Sequence, residues 1–261
     1  MGILNITPDS FADDGARMDP DRAAADAAQM IADGADILDV GGESTRPGAP
    51  AVLADEEWRR IAPVLERLRG RVDVPISVDT YKAEVADKAL AAGATIVNDV
   101  SGLTFDPDLA GVVARRGAAI VLMHTRGRSS DMYARATYDD VVRDVIRELG
   151  ERGAAARAAG IDESRIIYDP GIGFAKRAEH SFEVLARFPE FSVLGRPLLA
   201  GPSRKSFLKA AIGDVPAPAR VWGTAAAVTA AVLAGAHIVR VHDVVEMTQV
   251  VRVADAIRGQ A

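Results

Sequence analysis

Eight short runs of apolar and β-branched residues alternate along this chain with longer alanine-rich stretches of helical periodicity. The runs cover residues 1–6, 36–40, 75–78, 95–97, 118–123, 165–168, 197–200 and 237–241. Because each run is apolar on both faces, it predicts a strand buried in a parallel sheet. Eight parallel strands joined by helical crossovers favour closure of the sheet into a barrel.

The stretches between these runs predict one helix after each strand. They cover residues 20–33, 55–69, 82–92, 107–116, 138–159, 178–187, 217–234 and 244–258. Asp19 is a plausible N-cap of the first helix, and glycines such as Gly117 stand where helices end. We therefore predict an α/β fold, a (β/α)8 TIM barrel, as a single domain over residues 1–261. An open doubly wound sheet is the alternative, although no Gly-x-Gly-x-x-Gly turn follows the first strand.

The composition excludes several classes of protein. The 261 residues include no cysteine, which removes disulfides and thiolate metal sites and suits a reducing cytoplasm. Lys and Arg total 31 against 37 Asp and Glu, whereas general nucleic-acid binders are usually basic. No apolar run reaches the ~18 residues of a membrane span, and the N-terminus lacks the basic region of a signal peptide. We expect a cytoplasmic protein that binds neither nucleic acid nor membranes.

Polar and charged residues cluster where the predicted strands end. In a barrel of parallel strands the carboxyl ends meet at one mouth, which carries the active site. A single polar residue there could merely cap a helix, but eight polar endings at one mouth predict a shared site. The endings are Asn5, residues 41–48, Asp79, residues 98–99, His124, residues 169–171, residues 201–206 and residues 240–243.

The inner half of the predicted site consists of carboxylate and amide groups. Asp79, Asn98 and Asp169 suit a planar heterocycle that presents several N–H donors. The alternative is that these groups hydrogen-bond only to one another and to the strand ends. His124 also lies at the mouth, but the sequence suggests no partner for it, and its role stays open.

The outer half of the predicted site is cationic. Its charged members are Arg46, Lys205, Arg240 and His242. Arginine forks, the hydroxyls of Ser203 and Ser206 and the helix N-terminus after the last strand all suit phosphate oxygens. No zinc motif is present, but a bound pyrophosphate would bring Mg²⁺, held by phosphate oxygens, water and a protein oxygen such as that of Asn5.

Seven sequence blocks between residues 2 and 243 resemble the dihydropteroate synthases, in the order of that family. They are Gly-Ile-Leu-Asn-Ile-Thr-Pro-Asp-Ser-Phe from Gly2, Asp-Val-Gly-Gly-Glu-Ser-Thr-Arg-Pro-Gly from Asp39, Ser-Val-Asp-Thr from Ser77, Asn-Asp-Val-Ser-Gly from Asn98, Asp-Pro-Gly-Ile-Gly-Phe from Asp169, Gly-Pro-Ser-Arg-Lys-Ser-Phe from Gly201 and Arg-Val-His-Asp from Arg240. Residues 11–15 and 124–127 depart from the commoner family sequence. Members of the family usually carry a short segment before the first block, and we expect its absence to bear on stability more than on function.

The resemblance implies a transferase of folate biosynthesis. Such an enzyme condenses 6-hydroxymethyl-7,8-dihydropterin pyrophosphate with p-aminobenzoate, by an SN1-like loss of pyrophosphate followed by attack of the amine. The catalytic residues implied are Asp79, Asp169, Lys205, Arg240 and His242. The pterin residues implied are Asp79, Asn98, Met123, Asp169, Gly201 and Lys205. The pyrophosphate residues implied are Asn5, Arg46, Arg240 and His242, and the p-aminobenzoate residues are Phe11, Thr45, Pro47, Phe174, Lys205 and Ser206.

The resemblance also implies Mg²⁺ at Asn5, a homodimer, and lids formed by residues 7–19 and 41–55. Two rival functions remain open at this point. A pterin-dependent methyltransferase module would share the barrel and the inner groups, but it would have no pyrophosphate for Lys205, Arg240 and His242 to hold. A non-catalytic pterin-binding barrel would not need both halves of the site.

Overall fold

The structure is a computed structural model that describes residues 1–7, 19–44 and 48–260. Within them strands and helices alternate as the sequence predicts, except that a short additional helix, Lys209–Ile212, follows the seventh strand. The strands are β1 (Gly2–Asn5), β2 (Leu38–Gly41), β3 (Ile76–Asp79), β4 (Ile96–Asp99), β5 (Ala119–Met123), β6 (Ile166–Asp169), β7 (Leu199–Ala200) and β8 (Ile238–Val239). The helices are α1 (Pro20–Ala32), α2 (Ala54–Leu68), α3 (Ala83–Ala91), α4 (Leu109–Arg116), α5 (Val141–Ala158), α6 (Ala178–Ala186), α7 (Lys209–Ile212), α8 (Val221–Leu233) and α9 (Val244–Arg258).

The eight strands close into a parallel barrel. Strands β1 to β6 form one sheet in chain order, and β7 pairs in parallel with β8. Single bridges join the two sheets, because Tyr168 of β6 pairs with Leu198 and Gly2 of β1 pairs with Val241. Each strand therefore has a neighbour on both sides. The prediction of a (β/α)8 TIM barrel is confirmed, and the alternative of an open sheet is wrong.

Local signals explain where the helices begin and end. Asp19 caps α1 as predicted, since its Oδ1 accepts a hydrogen bond of 2.9 Å from the amide of Asp21. Asp140 accepts from the amides of Val142 and Arg143, so α5 begins at residue 141 and not at residue 138. Among the described helices, none is both long enough and apolar enough to cross a membrane.

The predicted helix over residues 217–234 is divided in two. Ala217–Arg220 forms a 3₁₀ turn, and the α-helix begins at Val221. The Arg220 guanidinium donates to the carbonyls of Val215 at 2.8 Å and Arg204 at 2.7 Å, which holds this turn against the loop after β7.

The core consists of apolar strand residues that pack inside the barrel and against the helices. Small residues such as Ala27 and Ala86 are fully buried, which lets α1 and α3 approach the sheet closely. A charged side chain departs from the predicted apolar pattern, because Asp39 lies fully buried within β2. The expectation that this strand is apolar on both faces is therefore wrong, and its carboxylate belongs to the site.

Candidate active site

Register places the predicted inner residues side by side at the carboxyl ends of the strands. Asn5 of β1 and Asp79 of β3 both stand level with the glycine that ends β2, and Asn98 of β4 pairs with Asp79. Farther round the barrel, Met123 of β5 pairs with Asp169 of β6. Asn5 is half-buried and the other four are buried, so the predicted shared mouth exists and opens into the barrel interior.

Arg240 lies between two buried carboxylates. Its Nε donates to Asp39 Oδ2 at 2.6 Å, and its Nη2 donates to Asp79 Oδ2 at 2.7 Å. Asn98 Nδ2 donates to the same Asp39 oxygen at 3.0 Å. Although burial opposes it, the two carboxylates raise the pKa of Arg240. The guanidinium therefore joins the two halves of the site, which the sequence interpretation had treated as separate.

Asp39 is a site residue that the sequence interpretation missed. Its Oδ1 is buried and has no hydrogen-bond partner within the described part of the chain. A carboxylate in the middle of an apolar strand costs several kcal/mol unless it is paired, so its presence there was the signal that could have found it.

Burial strongly changes the acidity of the site carboxylates. It raises the pKa of Asp79 to about 7, against the opposing charge of Arg240. Burial also raises the pKa of Asp169, which is opposed chiefly by Lys205. Asp169 Oδ1 accepts a hydrogen bond of 2.7 Å from the amide of Gly171. Asp79 can therefore change protonation near neutral pH, and both carboxylates have the raised pKa that is typical of catalytic groups.

Lys205 connects the loop after β7 to the loop after β6. Its Nζ donates to the carbonyl of Ile172 and lies 4.4 Å from the ring centroid of Phe174. Burial lowers the pKa of Lys205 to about 8, against the attraction of Asp169. Lys205 and Phe174, which the resemblance implies for the aminobenzoate site, therefore lie in contact with each other.

Gly201 lies close to three charged side chains. A methyl group at its Cα would lie 3.8 Å from Arg240 Cβ, 3.9 Å from Lys205 Nζ and 4.0 Å from Asp169 Oδ2. The missing side chain leaves room beside these groups for a ligand. Asp79, Asn98, Asp169, Lys205 and Gly201 are thereby brought together around Arg240.

His242 is held by the loop after β7. Its Nδ1 lies 3.0 Å from Ser203 Oγ, and its backbone amide donates to the same oxygen at 3.1 Å. Arg204 pairs with Asp243, which ties the same two loops together a second time. Because β8 ends at Val239, Arg240 and His242 do not continue a strand, and their side chains contact different partners.

Part of the predicted aminobenzoate and pyrophosphate sites lies outside the described residues. This applies to Phe11, Thr45, Arg46 and Pro47. Of the remaining aminobenzoate residues, Phe174 is half-buried and Ser206 is exposed at the start of a 3₁₀ turn. A cavity of about 290 Å³ opens beside Phe174, with Tyr81 and Phe105 among its walls, and this volume is near the lower end for small-molecule sites.

The described residues contain no cluster of three or more His, Asp and Glu side chains that could hold a metal ion. Asn5 supplies one amide oxygen at the end of β1, beside the mouth. A metal ion at this place would take most of its ligands from substrate oxygens and water, as Mg²⁺ commonly does.

His124, whose role the sequence left open, has two partners. Its Nδ1 lies 2.9 Å from Lys176 Nζ, and its Nε2 lies 2.9 Å from Glu148 Oε2. Burial lowers the pKa of His124 to about 3, and the charge of Lys176 acts in the same direction. The ring is therefore neutral and connects the mouth to α5.

Comparisons with known proteins agree with this arrangement. The family model described as pterin binding enzyme matches residues 1–242. The chain is 47% identical over 257 residues to a dihydropteroate synthase of Synechocystis, covering 98% of this chain and 89% of that protein.

Two solved structures are similar over nearly their whole length. Dihydropteroate synthase from Clostridium difficile in the presence of pteroic acid gives a TM-score of 0.93 at 43% identity, covering 98% of this chain and 95% of that one. The enzyme from Xanthomonas albilineans with 4-aminobenzoic acid gives 0.92 at 44%, covering 99% and 92%. A chain with this barrel and this mouth is a pterin-binding enzyme. It belongs to the dihydropteroate synthase family, whose members are transferases, and the resemblance found in the sequence is confirmed.

Proposed function

We propose that this chain joins 6-hydroxymethyl-7,8-dihydropterin pyrophosphate to p-aminobenzoate, giving 7,8-dihydropteroate and pyrophosphate. The observation that carries the proposal is the set of buried polar groups gathered around Arg240 at the barrel mouth. Asp79, Asn98 and Asp169 offer acceptor oxygens to the N–H groups of a pterin ring. Lys205 Nζ, which lies beside Gly201 together with Asp169, offers a donor to a ring oxygen or nitrogen.

The chemistry needs a leaving group stabilised on one side and a cation stabilised on the other. The bond between the pterin methylene carbon and the pyrophosphate oxygen breaks, and its electron pair stays with pyrophosphate. His242 and Arg46 hold the departing anion, while Asp79 and Asp169 stabilise the positive charge left on the pterin. The aminobenzoate nitrogen then forms the new carbon–nitrogen bond and releases its proton to the departing anion or to solvent.

The proposal includes Mg²⁺. Pyrophosphate oxygens and water would hold the ion together with Asn5, whose single oxygen at the mouth fits such a shared site. When bound, the ion neutralises charge that develops on the leaving group. Chelation with EDTA should suppress turnover and added Mg²⁺ should restore it. Unchanged turnover in EDTA would remove the metal from the proposal.

A coupled assay of pyrophosphate release tests the function. Release should require both the pterin pyrophosphate and p-aminobenzoate, and Asp79→Asn should reduce it by ~100-fold or more, as loss of an electrostatic contact in a buried site commonly does. Asp55→Asn is the matched control, because that carboxylate is 84% exposed on α2. If the wild-type chain releases no pyrophosphate with or without p-aminobenzoate, the proposed function is wrong.

The proposal extends to a homodimer in the cytoplasm. Support for the dimer comes from the apolar side chains exposed on α8 and α9, among which Trp222 is 81% exposed and Val253 61%. Sedimentation should give a dimer that Trp222→Ser weakens. Leu53→Ser is the control, since Leu53 is equally exposed elsewhere. A wild-type monomer at micromolar concentration would contradict the dimer. The cytoplasmic location stays a prediction from the cysteine-free composition.

A further inference from the structure

Lys176 is a fully buried lysine in the loop that follows β6. Its side chain is 1% exposed, and its Nζ has three hydrogen-bond partners. These are the carbonyl oxygens of Gly171 and Phe174, each at 3.2 Å, and His124 Nδ1 at 2.9 Å. Burial lowers the pKa of Lys176 well below its usual value, and the attraction of Asp169 opposes this. When it is protonated, the ammonium group has three N–H donors, and these three acceptors satisfy it completely.

The protonation of its neighbours follows from these contacts. Against its burial, hydrogen bonds from His124 and Arg126 lower the pKa of Glu148, so its carboxylate accepts a hydrogen bond from the N–H at His124 Nε2. His124 Nδ1 is then left to accept from Lys176. The chain of contacts thus runs from the β6 loop through a neutral histidine to α5.

The loop held by Lys176 carries two residues of the proposed site. The amide of Gly171 donates to Asp169 Oδ1 at 2.7 Å, and the ring of Phe174 lies beneath Lys205 Nζ. Gly171 also lies so close to the end of β5 that a methyl group on it would come within 1.9 Å of the His124 carbonyl oxygen. The position of this turn therefore sets where Asp169 and Phe174 stand.

We propose that Lys176 is a positioning residue for the transferase reaction, because its three hydrogen bonds fix the turn that holds the Asp169 carboxylate and the Phe174 ring. The expected changes in the kinetics rest on the proposed function, whereas the expected change in hydrogen exchange does not. Lys176 does not touch the space around Gly201 and acts through the turn.

The charge of Lys176 also reaches Asp169. Burial raises the pKa of Asp169, and Lys205, the amide of Gly171, Lys176 and Arg240 oppose that rise in this order. Removing the charge of Lys176 should therefore raise the pKa of Asp169 further. The acidic limb of the rate profile should then move to higher pH, which loss of stability alone would not produce.

The test compares three substitutions with one control. Lys176→Met keeps the length of the side chain without its charge and donors, and Lys176→Arg keeps the charge and donors. Tyr138→Phe is the matched variant, because the Tyr138 hydroxyl donates to the Ala175 carbonyl at 2.8 Å and tethers the same loop without a charge. Lys88→Met removes an exposed lysine and serves as the control.

Lys176→Met should raise KM for p-aminobenzoate and lower kcat/KM by ~10- to 100-fold, the range expected for loss of hydrogen bonds from a charged group. The acidic limb of its pH–rate profile should shift to higher pH, and in Lys176→Arg this limb should lie closer to its wild-type position. Tyr138→Phe should raise KM without moving the limb. A Lys176→Met protein with a lower melting temperature but unchanged KM values and pH profile would show that Lys176 is only structural.

Hydrogen exchange gives a readout that needs no turnover. The amides of Gly171 and Phe174 should exchange faster in Lys176→Met than in Lys88→Met, because the turn loses its anchor. If wild-type turnover is absent but this difference is present, the proposed function fails and the anchoring role stands. If Lys176→Met does not fold, His124→Leu removes one acceptor from Lys176 but keeps the lysine, and it should speed exchange of the same two amides. Unchanged exchange in the folded variant would overturn the inference.

Discussion

Replacing Arg240 by methionine would leave two buried carboxylates without their common cation. In the structure the guanidinium donates to Asp39 at 2.6 Å and to Asp79 at 2.7 Å, and its side chain is 21% exposed. Removing one partner of a buried ion pair typically costs ~3–5 kcal/mol. Stabilities of whole domains are ~5–15 kcal/mol, so the loss should be readily measured and the barrel should still fold.

The cost should depend on pH because Asp79 can take up a proton. Burial raises its pKa from 3.8 to about 7, a difference that corresponds to roughly 4 kcal/mol. A carboxyl whose pKa is higher in the folded state favours folding below its unfolded pKa, and that contribution is lost as pH rises through the folded value. Without Arg240 the pKa rises further. The destabilisation by Arg240→Met should therefore be smaller near pH 5.5 than near pH 8.5, which lie on either side of the folded pKa of about 7.

Urea unfolding at the two pH values measures this difference directly. Arg187→Met is the matched control, because Arg187 also pairs with several carboxylates, those of Asp140, Glu183 and Glu190, but at the surface. Its removal should cost little, and the cost should fall as salt screens the charges. Equal destabilisation by Arg240→Met at both pH values would refute the reasoning that Asp79 becomes neutral when its cation is removed.

Three further predictions concern the same mouth. Asp39→Asn removes a negative charge beside Asp79, so the pKa of Asp79 should fall. The acidic limb of the pH profile of kcat/KM should then move to lower pH, and a move to higher pH would contradict this. Because burial lowers the pKa of Lys205 to about 8, kcat/KM should decline as pH rises through that value, and Lys205→Arg should remove this decline if the charge alone is required. Gly171→Ala should lower the melting temperature far more than Gly70→Ala, since both glycines have positive φ but only the first would bring its new methyl within 1.9 Å of a backbone oxygen; equal losses would place the cost in φ alone.

The fold could be predicted from the sequence because each strand and helix has a recognisable local sequence pattern. Buried strands need apolar runs, and helices need caps and periodic faces, so the order of the eight units could be read along the chain. Some bounds shifted, and at the start of α5 a single side chain, that of Asp140, decides the position. Closure of the barrel then follows from the number of parallel units.

The partners of the site residues could not be read in the same way. Asp39 and Arg240 stand 201 residues apart, and their ion pair exists only because the barrel closes. His124 finds Lys176 and Glu148 across 52 and 24 residues for the same reason. Which groups occupy the mouth follows from strand ends, whereas which groups neutralise one another depends on side-chain directions in three dimensions. That is why Asp39 was missed and why the sequence suggested no partner for His124.

The short strands β7 and β8 make the barrel unequal around its circumference. Strands β1 to β6 have four or five residues each, whereas β7 and β8 have two and are joined to β6 and β1 by single bridges. Local unfolding begins where the fewest backbone hydrogen bonds must break, so β7 and β8 should separate from the barrel before the other strands separate from one another. Lys205 and Arg240 follow these two strands, while Asp79 and Asp169 stand on the longer ones. A pterin bound between Lys205 and Arg240 on one side and Asp79 and Asp169 on the other would therefore hold β7 and β8 to the rest of the barrel. Resistance of the protein to proteolysis should rise with the concentration of the pterin.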